Sequence, residues 1–459
     1  MSKLKGHTRH VHLIGIGGVG VSWIAEILLA KGYIVTGSDL KGSIITERLT
    51  KKGAKIHIGH HPDHVVGADL VVHTAAIGDD HVELLKAKEL EIPTLNRAEM
   101  QGELMDQYKK SIAISGAHGK STTTSMLSVI LAHSEEDATL LVGAHLDILG
   151  GNAKIGKSDD VIVMEACEYK DGFLNFRPTH GVILNIDEDH LDYFENLDHI
   201  LRSFVKFAQS IPKKGALIIN ADDYNAKKVI GHVTCPVITV GITQDAVYQA
   251  KNITFNDKGL PQFDVAFNGQ VIMTCRLSIP GQHNIYNGLS AVAVAHHIGI
   301  PCEIITKSLE TFTNAGRRFE DLGYFKGARV IDDYAHHPTE IKATLAAADK
   351  VPHNRIFSVF QPHTYTRTHE LLHEFSTAFS GADEVIVTDI YAAREKDENL
   401  VHAKDLVAKI REEGKKVTYI ASFDDIKTYL AEHAQEGDLI FTMGAGDIYK
   451  LGQQIVDSK

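Results

Sequence analysis

A chain of 459 residues, 44% apolar and 23% charged, has the composition of a soluble globular protein and exceeds one ordinary core, so about three domains are expected. Its net charge of −12, without a lysine or arginine cluster, argues against nucleic acid as the main partner, since a phosphate backbone needs a basic face. Four dispersed cysteines without a C-x-x-C pair argue against a zinc signature or a disulfide framework; a charged start with no apolar region behind it, and no apolar run near about 18 residues, argue against a signal peptide or membrane span, so a reducing cytoplasm fits best.

Residues 1–108 alternate β-rich runs (HVHLIGI, YIVTGSD, ADLVVHTA) with helical stretches, which predicts βαβ units on a parallel sheet. After the first run comes G-I-G-G-V-G, and Gly15, Gly17 and Gly20 fit G-x-G-x-x-G. Glycines let backbone approach a diphosphate, and the following helix offers free N–H groups and a positive dipole. Asp39 ends the next predicted strand, where an acidic residue would meet a ribose. A nicotinamide cofactor, another diphosphate ligand, and glycines used only for packing all remain open on this motif.

The second segment opens with the strand SIAIS and the loop S-G-A-H-G-K-S-T-T-T. The common phosphate loop is G-x-x-x-x-G-K-[ST]; here the earlier glycine is Gly116 and the loop is two residues shorter. Lys120 would carry positive charge to the β- and γ-phosphates, Ser121 would offer a hydroxyl to Mg²⁺, and Thr122 to Thr124 add hydroxyls. Glu165 ends the run VIVMEA, a place for a metal ligand; His190 follows HGVILNI among Asp187, Glu188, Asp189 and Asp192, either as a ligand or in a solvated acidic loop. The turn signals DKG and NG predict a small antiparallel meander near 250–277. In GQHNIYN, His283, Asn284 and Asn287 open a helix; amides suit the edges of adenine, though Asn is also an ordinary cap. The segment closes near Gly316-Arg317-Arg318-Phe319-Glu320.

From about 320 to 459 the alternation restarts: strand ARVIDDY, helix PTEIKATLAAAD, strand RIFSVF, helix RTHELLHEFSTAF, strand EVIVTD, and on to LIFTMG. Asp332, Asp333, His336 and His337 follow the first strand; Gln361, His363 and Arg367 follow the second. Polar groups at the carboxyl ends of such strands face the ligand crevice.

Taken together, HVHLIGIGGVGVSWIAEILL, GSDL, NRAEM, GAHGKSTTT, EACEY, NIDEDHLDYF, GQHNIYN, GRRFE, DDYAHHPTE, FQPHTYTRT and GAGDI make the chain, end to end, resemble the Mur ligase family, ATP-dependent amide ligases of peptidoglycan synthesis whose phosphate loop is the short form. The resemblance implies an α/β fold of three domains: a Rossmann-like parallel sheet over 1–108 that binds a UDP-sugar, a central P-loop domain over 109–318 with the meander, and a Rossmann-like amino-acid domain over 319–459. It is nearest to the branch that joins L-alanine to the lactyl carboxylate of UDP-N-acetylmuramate through an acyl-phosphate, releasing ADP and phosphate. A relative that attaches a whole tripeptide to the same sugar nucleotide, and a nicotinamide- or nucleotide-sugar-binding sensor, are the alternatives.

The resemblance also implies roles. Gly116, Ala117, His118, Gly119, Lys120, Ser121 and Thr122 would bind ATP phosphates, His283, Asn284 and Asn287 adenine, and Asp333 the ribose, with Arg317 or Arg318 at the hinge near the nucleotide. Ser121, Glu165 and His190 would hold Mg²⁺, two ions in all. His336, His363 and Arg367 would face the amino acid and acyl-phosphate. Gly15, Gly17, Gly18, Gly20, Asp39 and Thr74 would cradle UDP. A monomer or weak homodimer with no nucleic acid or membrane partner is expected. Two departures stand out: Thr364 replaces an arginine of some relatives, and Phe204, with Lys206 nearby, falls where others carry a carbamylated lysine.

Overall fold

The computed structural model describes residue 4 and residues 8–458, except 75, 314, 315 and 394. Three sheets follow one another along the chain. The first has five parallel strands, in the spatial order Lys55–Ile58, Ile34–Asp39, His10–Ile14, Leu70–His73, Thr94–Asn96. Val11, His12, Leu13 and Ile14 are all buried, because helices cover both faces of a parallel sheet and every side chain of a central strand is enclosed. Strand order reverses beside His10–Ile14, so the crevice at this switch point opens next to the Gly15–Gly20 turn and Thr74.

The central sheet has ten strands. Its parallel core runs Val237–Gly241, Ala216–Asn220, His180–Ile183, Lys110–Ser115, Val161–Glu165, Ala138–Leu146. The expected meander is present as Tyr248–Phe255, Pro261–Phe267 and Gln270–Arg276, and it continues one edge of this same sheet. At the other edge Ala138–Leu146 pairs antiparallel with Gly151–Lys154, a hairpin the sequence pattern did not announce. Helices Lys120–His133 and Gln282–His297 share the core on one face. Helix Leu197–Gln209 packs on the other, where Phe204 and Phe207 meet Phe173 with ring centroids 5.1 and 4.9 Å away. Phe204 is thus a core residue, and Lys206 faces solvent.

The C-terminal sheet runs Glu320–Phe325, Ala328–Asp333, Leu439–Met443, Ile356–Phe360, Glu384–Val387, Val417–Tyr419; the first pair is antiparallel and the rest parallel. The helix expected over RTHELLHEFSTAF breaks at Leu371 into Tyr365–Glu370 and Leu372–Ser376. The turn at Leu371 lets it and Phe375 both enter the core.

The first two units share one apolar cluster: Leu104, Met105 and Tyr108 pack with Phe173 and Phe176. The C-terminal unit has clusters of its own, and among the described residues it meets the central unit chiefly through polar side chains. No helix among the described residues is long and apolar enough to cross a membrane.

Candidate active site

The short loop turns through Gly116 (φ +142°) and Gly119 (φ +84°), both in backbone conformations that favour glycine. A Cβ at Gly119 would lie 2.4 Å from Asn287 Oδ1, so the loop is pressed against helix Gln282–His297. Lys120 Nζ donates to the Gly116 carbonyl, to the Ala117 carbonyl at 3.1 Å and to Glu168 at 3.0 Å. Burial opposes the charge of Lys120, but Glu168 outweighs it and holds the ammonium above the ordinary lysine range. Ser121 Oγ donates to Glu165 Oε2 at 3.1 Å, and Glu165 Oε1 accepts from Gly143 N–H at 2.7 Å. A hydroxyl and a carboxylate are thereby side by side at the helix start.

A cavity of about 390 Å³ opens between the central and C-terminal units. Its walls include His118, Gly119 and Thr122 of the loop, His283, Asn284 and Asn287 of the helix, and Arg318 and Asp333 of the C-terminal unit. Positions far apart in sequence therefore converge, as expected. Asn287 Nδ2 donates to Asn284 Oδ1 at 3.0 Å, and Thr123 Oγ1 donates to Asn287 Oδ1 at 3.3 Å, which fixes the amide orientations. Burial pushes Asp333 up to about 6 although Arg318 pulls the other way. Burial, with Arg318 adding repulsion, takes His283 down to about 4, so its ring is neutral at physiological pH. The arginine pair divides its work. Arg318 lines the cavity, whereas Arg317 is committed to Asp332 at 2.9 Å and to the Gly444 and Gly446 carbonyls.

The seam between these units is ionic. Arg367 grips Asp189 through Nη2 at 2.7 Å and Nε at 3.1 Å, and its Nη1 lies 3.1 Å from His363 Nδ1. Burial opposes ionisation of Asp189, yet Arg367 and His190 hold it well below the usual carboxylate range. His190 has φ +57° and its ring packs 4.7 Å from Tyr169; burial lowers its pKa against the pull of Asp189. The His336 ring stands edge-on to His363 at 5.8 Å. His190, His363 and Arg367 line a smaller cavity of about 90 Å³, while Glu165 opens onto a different one. Gln361 is structural: it donates to Asp447 and accepts from Ile448 N–H.

Beside that pair, His118 bridges the seam, with Nε2 2.9 Å from Asp187 and Nδ1 3.4 Å from Glu340. Burial works against its charge, but the two carboxylates raise it to about 9. Glu340 is placed by a capping box at the start of helix Pro338–Ala348, and Thr339 Oγ1 donates to Asp187 at 2.7 Å. Donor atoms of His118, Asp187 and His337 fall within 4.8 Å of one another. However, His337 Nδ1 caps the helix through Thr339 N–H and its Nε2 donates to the Glu188 carbonyl. The group therefore closes as a hydrogen-bond network without needing a cation.

In the first unit, Gly15 has φ +76° and an added Cβ would lie 2.8 Å from Thr74 Cγ2. Asp39 Oδ2 accepts from Gly17 N–H at 2.9 Å, so this carboxylate braces the turn. Gly18 caps helix Val19–Ala30, and a Cβ at Gly20 would meet Arg97 Nη1 at 2.3 Å. A cavity of about 430 Å³ runs from Gly20, Trp23 and Arg97 to Glu165, Cys167 and Tyr169 of the central unit. Burial pushes the Cys167 thiol up to about 11. Glu168, Glu340 and Arg97 went unassigned in the sequence. Glu168 follows a strand end and Glu340 sits in the first turn of a Pro-started helix, both weak signals; Arg97 has none by itself.

The Mur ligase family, catalytic domain model matches residues 10–109, the Mur ligase middle domain residues 114–295, and the Mur ligase, glutamate ligase domain residues 317–446. The chain belongs to the Mur ligase family. It is 51% identical to the UDP-N-acetylmuramate–L-alanine ligase of Alkaliphilus metalliredigens over 98% of each chain. It is 50% identical to the same-named ligase of Caldanaerobacter subterraneus over 98% of this chain and 97% of that one. Among solved structures, the UDP-N-acetylmuramate-alanine ligase of Thermotoga maritima superposes with a TM-score of 0.79 at 28% identity, covering 98% of this chain and 99% of that one. A murein peptide ligase from Psychrobacter arcticus gives 0.73 at 25% identity, covering 98% of each.

Proposed function

We propose that this protein is an ATP-dependent ligase that joins L-alanine to the lactyl carboxylate of UDP-N-acetylmuramate in peptidoglycan precursor synthesis. The observation that carries the reading is convergence: the phosphate loop, the His283–Asn287 helix start, Arg318 and Asp333 meet on one cavity, in a chain about half identical to ligases of that name. The same identity favours a single amino acid over a tripeptide.

The lactyl carboxylate attacks the γ-phosphorus of ATP, giving an acyl-phosphate and ADP. The L-alanine amine attacks the acyl carbon, phosphate leaves, and the nitrogen loses a proton. The first step brings an anion toward a polyanion, and each unit-charge repulsion at ~4 Å is ~4 kcal/mol at an effective dielectric of about 20. Lys120 and the N-terminus of helix Lys120–His133 supply fixed positive charge against it. Gly116 to Thr122 receive the phosphates; His283, Asn284 and Asn287 take adenine; Asp333 takes the ribose, beside Arg318. Residues 1–108 bind the UDP-sugar through Gly15, Gly17, Gly18 and Gly20, with Asp39 and Thr74 shaping the turn. Residues 109–318 hold ATP, and residues 319–459 present His336, His363 and Arg367 to the amino acid and acyl-phosphate.

Ser121 and Glu165 fit Mg²⁺, because adjacent hydroxyl and carboxylate oxygens are the donors a hard cation takes. His190 is the nitrogen donor for a second ion. Bound Mg²⁺ would offset phosphate charge. The protein acts as a monomer or weak homodimer in the cytoplasm, without a membrane partner, and its net charge of −12 with no basic cluster argues against a nucleic-acid partner. The test is ADP release with UDP-N-acetylmuramate and Mg²⁺, adding L-alanine or free tripeptide in parallel. Release only with L-alanine is expected; release only with tripeptide would overturn the choice of amino acid.

A further inference from the structure

The cavity at the seam, about 90 Å³, is less than a quarter the size of either other cavity. Its polar lining includes Arg367, which also pairs with Asp189 of the same lining, and the carboxylates Asp192 and Glu395. A cation and carboxylates facing one small space match the two charged ends of a free α-amino acid. Its apolar lining is two leucines, one from each unit. Leu191 comes from the central unit, directly after His190, and packs against the C-terminal core. Leu371 is the residue at which the expected long helix breaks, and it is 4% exposed.

Both walls are held in place. Glu395 Oε2 accepts from the Tyr365 and Thr366 N–H groups at 2.6 and 3.0 Å, which anchors the short helix that ends at Leu371. Leu371 N–H bonds the Arg367 carbonyl at 3.1 Å, so the wall and the cation belong to one turn. Tyr169 donates to Asp192 at 2.9 Å, which fixes the loop that carries Leu191. A close-packed wall with few ways to relax resists even one added methylene.

We propose that Leu191 and Leu371 set the size of the amino-acid side chain this ligase accepts, admitting a methyl group and refusing longer or branched ones. The pocket is completed only when the nucleotide-binding and C-terminal units are together, so the amino acid is measured in the closed enzyme. This rests on the ligase reading above, and it assigns selectivity to two residues that contact no charge.

The test uses the full chain with ATP, Mg²⁺ and UDP-N-acetylmuramate, and compares kcat/KM for L-alanine, L-2-aminobutyrate and L-valine. One methylene in an apolar pocket changes kcat/KM about 10- to 200-fold. Leu191→Ala is expected to shift the ratio of L-2-aminobutyrate to L-alanine by at least about tenfold toward the larger substrate. Leu371→Val, which removes one methylene and spares the core, is expected to shift it in the same direction. Unchanged ratios in both variants, while L-alanine still drives ADP release, would overturn this inference alone. Wild-type protein that releases ADP with none of the three amino acids would overturn the ligase reading and this inference with it.

Discussion

Replacing Lys120 by methionine separates what the lysine does for the fold from what it does for the reaction. Its ammonium is 3.0 Å from the carboxylate of Glu168, which is 2% exposed. At that distance and an effective dielectric of about 20 the attraction is about 5.5 kcal/mol before desolvation is subtracted. Stripping one partner from a buried pair costs about 3–5 kcal/mol, because the other charge is stranded. Lys120→Met should therefore abolish ADP release and lower stability by about that amount. The double variant Lys120→Met/Glu168→Gln removes the stranded charge, so it should recover most of the lost stability and none of the activity. Urea unfolding midpoints of the three proteins, measured beside ADP release, decide the matter. Substantial turnover in Lys120→Met would refute the loop assignment. A double variant as unstable as the single one would refute the claim that Glu168 is the buried liability.

Three further outcomes are expected. His118 is raised from 6.5 to about 9, so its contribution is fully present below pH 6.5 and is lost as pH rises through 9; wild type should lose about 3 kcal/mol relative to His118→Gln across that window, read by urea unfolding at both ends. Gly119→Ala meets both a φ of +84° and Asn287 Oδ1 at 2.4 Å; strain of about 1–3 kcal/mol should weaken ATP binding roughly tenfold or more by calorimetry, with UDP-sugar binding kept. Asp189→Asn and Arg367→Gln should be strongly coupled, and a double-mutant cycle on unfolding midpoints giving less than about 0.5 kcal/mol would contradict the buried pair.

Much of the fold was legible in the sequence. Alternating apolar runs and helical stretches announced parallel sheets because a strand enclosed on both faces is mostly apolar; in His10–Ile14 and Ile356–Phe360 the polar exceptions are His10, His12 and Ser358, and His12 and Ser358 are buried with the rest. Glycine spacing announced both turns, since Gly15, Gly116 and Gly119 occupy backbone conformations few other residues adopt. The broken helix at Leu371 was not legible: RTHELLHEFSTAF has an unbroken helical pattern, and only the need to bury Leu371 and Phe375 together interrupts it.

The site divides the same way. The sequence by itself determined which residues could carry chemistry, because a lysine after glycine, a carboxylate at a strand end and an amide at a helix start are local facts. Tertiary structure alone decided their partners: Glu168 for Lys120, Asp189 for Arg367, Glu340 and Asp187 for His118. It also chose between Arg317 and Arg318, sending one to Asp332 and the other to the cavity between the central and C-terminal units. Charge pairs form wherever burial makes an unpaired ion costly, and burial is settled by residues up to 178 positions apart in the chain, which no local pattern can encode.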